Sequence, residues 1–547
     1  MHMCEFDSES IQMIDRTPLK FHIPNSMLEQ IPGCCHLDQT LHVSVQKQSK
    51  GSLGPPHYII RLGRLPFMDE GHNSEEKKSA LEQLEEKLSY ASKNIWSEVD
   101  DDTVRRINEY GELYKDFLGF SKSERLTVKW IRKEAEKRGY KELSKVSAVK
   151  PGNLLFSTNR DKNIVLIKVG KLPVLEGMNF IVAHADAPRL DLKQIPLMED
   201  TEIALLKTHY YGGVKKYQWL NIPLALTGVV ITKANEKVEI SIGFKDDDPV
   251  FVIPDLLPHL ARKVQGEKKS GEFIEGETLN LMFGNIPVKD KKIKDKVKLA
   301  VLQRLHEQYG IIEEDFVSAE LQAVPAVKPR DAGIDRSMIS GYGHDDRVST
   351  FAAVTALFDA EKIDRTAVCF IVDKEEIGSD GPTGAKSLFI FNVIGEIIER
   401  MMGQCTDIHL RRAMEKSTCI SADVNAGINP MYKSVHDEKN AARLSHGIVI
   451  TKYTGHGGKY MANDADAELV GMIRHLFNKN GIFWQYGGMG KIDEGGGGTI
   501  AKHFSFYNAS VIDCGIPVVG MHSPYELISK ADLYYSYRGF RVFLEQL

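Results

Sequence analysis

The sequence predicts an α/β protein, a largely parallel sheet covered on both faces, with a second, more strand-rich domain inserted in it. Three features predict this. From Gly341 onward, helical and apolar strand-like segments alternate, the pattern that buries a parallel sheet between helix layers. The stretch just after Asn163 reads alike. Between them, from about Gln194 to Pro329, the pattern changes and strand signals dominate. A chain of 547 residues is also too long for one compact core.

The first part, to about Lys78, carries little pattern. PNSMLEQIPG and SKGSLGPPHY are turn-rich, and HYIIRLGRL reads as one strand. Ser79–Tyr90, which contains LEQLEEKLSY, has helical spacing. Two further helices are expected around Asp102–Leu118 and Ser121–Arg138. NIVLIKVG and MNFIVAH, rich in Ile and Val, read as strands. In the middle segment LALTGVVITK and KVEISIGF read as strands, and the Lys-rich KDKKIKDKVK as solvated surface. A helix over Ser349–Lys362 then leads to strand TAVCFIVD, and a helix through NVIGEIIERMMG leads to STCISAD. GIVITKY, IFWQYGG and NASVIDCGIPVVG are further strands, and AELVGMIRHLFNKNG is a helix with a Gly stop.

Composition narrows the class. A hydrophobic fraction of 42% and a charged fraction of 27% are ordinary for a soluble globular protein. Basic residues number 70 and acidic ones 75, a net charge of -5, so no basic surface for nucleic acid is implied. The seven cysteines are Cys4, Cys34, Cys35, Cys369, Cys405, Cys419 and Cys514. Their odd number and lack of CxxC spacing speak against a disulfide framework or zinc ribbon and fit a reducing compartment. MHMCEFDSES has no apolar signal region, and no apolar run approaches the roughly 20 residues that span a bilayer. A cytoplasmic protein without nucleic-acid or membrane partners is expected.

The chemistry lies where acids and histidines fall. FIVAH ends at His184, CFIVD runs into Glu375 and Glu376, CISAD ends at Asp423, and IPVVGMH ends at His522. Ligands of open parallel sheets bind at the carboxyl ends of strands, so these ends would gather imidazoles and carboxylates in a small volume. In VAHADAP, His184 and Asp186 are two apart and face one way in an extended chain. A ligating imidazole usually hands its other N–H to a carboxylate, and His-x-Asp supplies both. The plainer reading is a surface His beside a turn. In GYGHDDR, Asp345 and Asp346 precede a helix, where an Asp is an ordinary N-cap. The functional reading makes one of them a carboxylate shared by two metals. His344 reads as polar surface more readily than as a ligand.

Glu375 and Glu376 are neighbours after a buried-looking strand, which is costly unless a cation or solvent offsets them. One can bind metal while the other takes a proton from an attacking water, the division that metal-assisted hydrolysis needs. A solvated acidic loop is the alternative. DEGGGGTIAKH lacks the GK[ST] of a phosphate-binding loop and is read as close backbone approach near a site.

Taken together and in order, VAHADAPRLDLK, GYGHDDR, DKEEIGSDGPTGAKS, SADVNAG and GMHSPYE resemble the aspartyl aminopeptidase and vacuolar aminopeptidase I family of dinuclear metallopeptidases. TKYTGHGGKYMANDADAE and DEGGGGTIAKHFS are similar to stretches of its bacterial aminopeptidase 1 branch. The resemblance covers roughly Lys87 to Leu547. It implies a three-layer α/β/α metallopeptidase domain with an inserted β-rich dimerisation domain. The corresponding boundaries are an N-terminal extension over 1–85, a discontinuous catalytic domain over 86–193 and 330–547, and an insert over 194–329. The resemblance also implies site roles. His184 would bind one metal with Asp186 orienting it, Asp345 would bridge, and Glu376, Asp423 and His522 would complete the ligands. Glu375 would be the general base. His259 in PDLLPHLARK would reach a partner subunit's site, and Lys452 would lie near the substrate side chain. Two divalent ions are implied, zinc first, with cobalt or manganese as alternatives.

The expected activity is removal of single acidic or neutral residues from the free N-terminus of peptides. Homo-oligomers from dimer to dodecamer are expected. One departure stands out. In YYGGVKKYQWLNIPLAL, Asn221 and Ile222 occupy the positions of a family Asp-Arg pair. Competing readings are a dinuclear amidohydrolase or deacylase acting on small amides, and a catalytically weak oligomeric scaffold. A retired enzyme would have no reason to keep the whole ligand set.

Overall fold

The computed structural model describes residues 79–547 and, before them, only short strand segments between Met3 and Gly63. Two compact units divide the chain, Met1–Tyr90 and Ala91–Leu547. In the first, Met3–Phe6, His57–Gly63 and His42–Gln48 pair antiparallel in that order. HYIIRLGRL is thus a strand over His57–Gly63. PNSMLEQIPG and most of SKGSLGPPHY lie outside the described residues. The helix of LEQLEEKLSY spans Ala80–Leu88, started by a capping box between Ser79 and Glu82.

The second unit is built on a nine-stranded sheet. Its centre is parallel, with Ser510–Gly515, Thr418–Ser421, Met178–His184 and Thr366–Val372 side by side. The sheet is largely parallel, as expected, with five of its eight pairings parallel and three antiparallel. Asn163–Lys168 pairs antiparallel with both Thr366–Val372 and Leu154–Asn159, and Ile448–Thr451 pairs antiparallel with Ser510–Gly515. One of these pairings has a local reason: a short turn with Arg160 and Asp161 at positive φ joins Leu154–Asn159 to Asn163–Lys168, whereas parallel neighbours need a long crossover.

Side chains alternate between two helix layers, as the period of a strand requires. Ile181, Ala183, Cys369 and Ile371 pack under helices Asp101–Phe120, Glu124–Lys137, His344–Asp359 and Lys530–Gln546. Phe180, Val182, Val368 and Phe370 pack against Phe389–Met402 and Asp407–Glu415 on the other face. The result is a three-layer α/β/α arrangement.

A six-stranded antiparallel sheet stands apart, in the order Lys237–Ile242, Leu224–Ile231, Ala319–Pro325, Arg189–Asp200, Ile203–Tyr211, Asn280–Gly284. Its core of Leu190, Leu206, Trp219, Leu224 and Val324 is closed by Val297 and Val301 of helix Lys296–Tyr309. Most of KDKKIKDKVK is exposed just ahead of that helix. PDLLPHLARK holds a short helix, Pro258–Ala261. Asn221 has a local explanation there. It sits at φ 57, a conformation Asn tolerates, and its side-chain oxygen accepts the Asp255 N–H at 3.1 Å. It thereby pins the chain that leads to His259.

NASVIDCGIPVVG splits between sheets: Ser510–Gly515 lies in the central one, Pro517–Val519 in a third. That five-stranded sheet also holds Met338–Gly341 and Glu526–Ser529. Cys369, Cys405, Cys419 and Cys514 are free thiols. Among the described residues, no helix is long and apolar enough to cross a membrane.

Candidate metal centre

Three neighbouring parallel strands deliver their carboxyl ends to one place. His184 is the last residue of its strand, Glu375 and Glu376 follow Thr366–Val372, and Asp423 follows Thr418–Ser421. Lys374, at φ 67, turns the chain so that both glutamates leave the sheet edge. From the third sheet come Asp345, just after Met338–Gly341, and His522, between Pro517–Val519 and Glu526–Ser529.

Asp345 stands at the middle. Its Oδ1 lies 3.2 Å from His184 Nε2, and its Oδ2 lies 3.1 Å from His522 Nε2. Asp423 joins the His184 side at 3.7 Å, and Glu376 the His522 side at 3.4 Å. Glu375 Oε2 is 4.0 Å from His184 Nε2, with its side chain 18% exposed. Sets of potential ligand atoms lie within 4.8 Å of one another in His184–Asp345–Glu376 and in His184–Asp346–Asp423. The distances from the two imidazoles divide these groups instead into a His184–Asp423 side and a His522–Glu376 side, with Asp345 between them.

Asp186 holds the frame. Its Oδ1 is 3.3 Å from His184 Nδ1, and its two oxygens accept the backbone N–H groups of Glu375 and Glu376 at 3.2 Å each. Asp346 accepts the backbone N–H of His184 at 3.1 Å. Asp345 and Asp346 both have non-helical backbone angles, so the helix proper begins after them. His344 is not surface, as expected, but fully buried, 2.7 Å from the hydroxyl of Tyr114.

His184 Nε2, Asp345 Oδ1 and Glu376 Oε1 are buried and make no hydrogen bond within the protein. Buried polar atoms rarely stay unsatisfied, and convergent ones of this kind match a cation's coordination shell. Electrostatics agree. Burial raises the carboxyls of Glu376, Asp346 and Asp423 above their usual range, and burial together with Asp423 pushes Glu375 up to about 8. So many clustered acids cannot all ionise without added positive charge. Imidazole and carboxylate donors fit zinc.

Glu526 escaped the reading of the sequence. It is buried, and accepts the N–H of His522 at 2.7 Å and of Asp345 at 3.2 Å, one on each oxygen. Its only sequence signal is an acid opening the apolar strand of GMHSPYELIS. Gln has one acceptor oxygen in place of two, so Glu526→Gln is expected to lower metal affinity by roughly 10–100-fold, as changes behind the ligands do. Metal retained after dialysis against a weak chelator measures this; unchanged retention would remove Glu526 from the site's support.

Two expected residues lie elsewhere. Among the described residues, no hydrogen bond or ion pair ties His259, exposed on Pro258–Ala261, to the cluster of its own chain. Lys452 follows strand Ile448–Thr451 and is paired with Asp464 at 2.7 Å, which also takes Lys459 at 3.0 Å. The Gly-rich runs do approach backbone to backbone: a Cβ on Gly496 would sit 1.9 Å from the Gly455 carbonyl oxygen. The two runs line a cavity of about 760 Å³ together with Tyr453 and Lys459.

Buried acids and two imidazoles, gathered where the parallel strand ends of an α/β/α layer meet a third sheet, form a candidate metal centre, and the class is that of a metallopeptidase. More narrowly, the chain belongs to the aminopeptidase I zinc metalloprotease (M18) family, whose description matches residues 117–544. A probable M18 family aminopeptidase 1 of Borreliella afzelii is 47% identical over 455 residues, 83% of this chain and 99% of that protein. The crystal structure of an M18 aminopeptidase from Thermotoga maritima superposes with a TM-score of 0.81 at 43% identity, covering 84% of this chain and all of that one. A dodecameric mApe1 of Saccharomyces cerevisiae, 21% identical, shares the fold at a TM-score of 0.65, over 80% of this chain and 96% of that one.

Proposed function

We propose that the protein is an aminopeptidase that uses two divalent ions, zinc first, to remove single residues from peptide N-termini. The carrying observation is Asp345, whose two oxygens face two different imidazoles 3.2 and 3.1 Å away. His184 and Asp423 would hold one ion, His522 and Glu376 the other, and Asp345 both. When bound, the ions would supply Lewis acidity, lowering the pKa of an attacking water from about 15.7 toward about 7, and a docking point for the free α-amine. Glu375 would take the water's proton and return it to the leaving amine. Asp186 would keep His184 in the tautomer that presents Nε2.

The six-stranded sheet and residues 194–329 around it are proposed as a dimerisation domain. The exposed His259 suits a role in a partner subunit's site, within assemblies from dimer to dodecamer. Removal of single acidic or neutral residues is the expected range. The Asp464 partner offsets much of the charge that Lys452 would offer an acidic side chain. Asp464→Asn should therefore raise kcat/KM for acidic over neutral substrates by up to about 5-fold, the worth of an exposed ion pair (~0.2–1 kcal/mol).

The test is hydrolysis of unblocked Asp, Glu and Leu anilides as purified, after chelation, and after adding back zinc, cobalt or manganese. Release that disappears on chelation and returns with metal supports the proposal. Release from acylated amino acids alone would overturn it in favour of an amidohydrolase.

A further inference from the structure

Both imidazoles at the centre have their second nitrogen fixed, but by different parts of the fold. His184 Nδ1 lies 3.1 Å from the backbone carbonyl oxygen of Asp186, two residues on, and 3.3 Å from its Oδ1. His522 Nδ1 lies 3.2 Å from the carbonyl oxygen of Gly213, more than three hundred residues earlier in sequence. Gly213 follows strand Ile203–Tyr211 of the six-stranded antiparallel sheet, not any strand of the central one.

The residues before it touch the centre too. The Tyr211 hydroxyl donates to Asp186 Oδ2 at 2.9 Å. Gly212 lies against Glu376: a Cβ there would come within 3.3 Å of that side chain's Cβ and Oε2. Tyr211 is itself braced. The Arg189 guanidinium stacks 3.7 Å from its ring centre and is held by Asp191 at 2.8 Å and Glu124 at 3.7 Å. Arg189 and Tyr211 are cross-strand partners in the same sheet.

We infer that the Tyr211–Gly212–Gly213 turn is a positioning element for the metal centre, through which the antiparallel sheet sets both imidazoles. The Gly213 carbonyl accepts the Nδ1 proton of His522 and so leaves its Nε2 lone pair facing Asp345 and Glu376. The Tyr211 hydroxyl steadies Asp186, and through it His184 and the backbone of Glu375 and Glu376. Outer partners of this kind fix tautomer and ring angle and raise ligand basicity. Nothing larger than glycine fits the His522 contact, since a Cβ at Gly213 would lie 2.9 Å from Nδ1. A shift of the antiparallel sheet would therefore move ligands of both ions together.

The inference rests on the two-ion reading, and the test separates the two. Zinc is titrated into the full-length metal-free protein by calorimetry, for the native chain and for Tyr211→Phe, Gly213→Ala and His522→Ala. The expected result is that His522→Ala loses one of two binding events. Gly213→Ala should weaken that same event by roughly 10–100-fold and leave the other near native, while Tyr211→Phe should weaken the other by a similar factor. Melting of the metal-free variants should match the native chain, which distinguishes positioning from general support of the fold. If the native chain shows a single event, the two-ion reading fails; if His522→Ala leaves two events intact, His522 is no ligand and its positioning by Gly213 fails with it. If His522→Ala removes one event but Tyr211→Phe and Gly213→Ala both bind as the native chain does, the positioning inference fails alone. Should Gly213→Ala not fold, Tyr211→Phe decides the matter, because it removes a single oxygen.

Discussion

Replacing Glu375 with Gln is expected to lower kcat by on the order of 10²–10⁴-fold, the usual worth of a positioned general base, while leaving metal content near native. The geometry separates Glu375 from the ligands proper. Its carboxylate is 4.0 Å from His184 Nε2 and part of it meets solvent, whereas the side chain of Glu376 is 3% exposed and turns to His522. Gln is isosteric, so the Glu375 N–H stays on Asp186 and the turn keeps its shape. KM should change little, because the lost proton transfer belongs to the transition state and not to binding. Metal content comes from elemental analysis of the same preparation that is assayed. Parallel loss of metal and activity would make Glu375 a ligand instead of a base.

The neighbouring Glu376 makes the comparison informative. Two adjacent glutamates in one sequence motif look equivalent, and only their burial and partners tell them apart. Glu376→Gln should therefore lose metal first and activity as a consequence, the reverse of the Glu375 result.

Most of the cluster was legible in the sequence because it sits on strand ends, and strand ends follow from hydrophobic runs. His184, Glu375, Glu376 and Asp423 each close a run of Val, Ile, Ala or Cys, and the observed strands stop where those runs stop. His522 was found for the same reason, although its strand Pro517–Val519 belongs to a different sheet. What a hydrophobic run cannot tell is which sheet it joins, because pairing depends on distant partners. The antiparallel pairings were missed on that account: the turn at Arg160 and Asp161 sets only the direction of Leu154–Asn159 against Asn163–Lys168, and an Asp that tolerates positive φ does not by itself announce a hairpin.

Support from behind the ligands was harder to see. Tyr211 and Gly213 act through single hydrogen bonds to groups far away in sequence, and Glu526 through one to distant Asp345 and one to His522 four residues before it. A lone acid, tyrosine or glycine in a strand-rich stretch reads equally well as surface, core or turn. His344 was misjudged in the opposite sense. Beside two acids it looked like polar surface, yet burial drives its ring proton off, lowering its pKa to about 3, and its Nδ1 meets the Tyr114 hydroxyl. Neutral, it is buried at far less cost than an imidazolium would be, which a reading of residue types alone does not register.

Asp345 provides the sharpest test of two ions against one. If one carboxylate serves both, Asp345→Ala should lose both zinc ions together and with them essentially all activity, a larger effect than the loss of any other single ligand. His522→Ala and Asp423→Ala should each lose one. Asn at 345 is the discriminating variant: it keeps one oxygen, offers an amide nitrogen that cannot ligate, and removes the negative charge. It should retain at most one ion, on whichever side the oxygen settles. The variant should still fold, because Glu526 holds the backbone N–H of Asp345 and not its side chain. Zinc stoichiometry by mass spectrometry under native conditions reads the outcome directly. Two ions retained by Asp345→Ala would mean that the oxygens at 3.2 and 3.1 Å serve only to orient the imidazoles. One ion retained at native affinity would mean a single-metal site centred on one histidine, with the other histidine left to bind substrate.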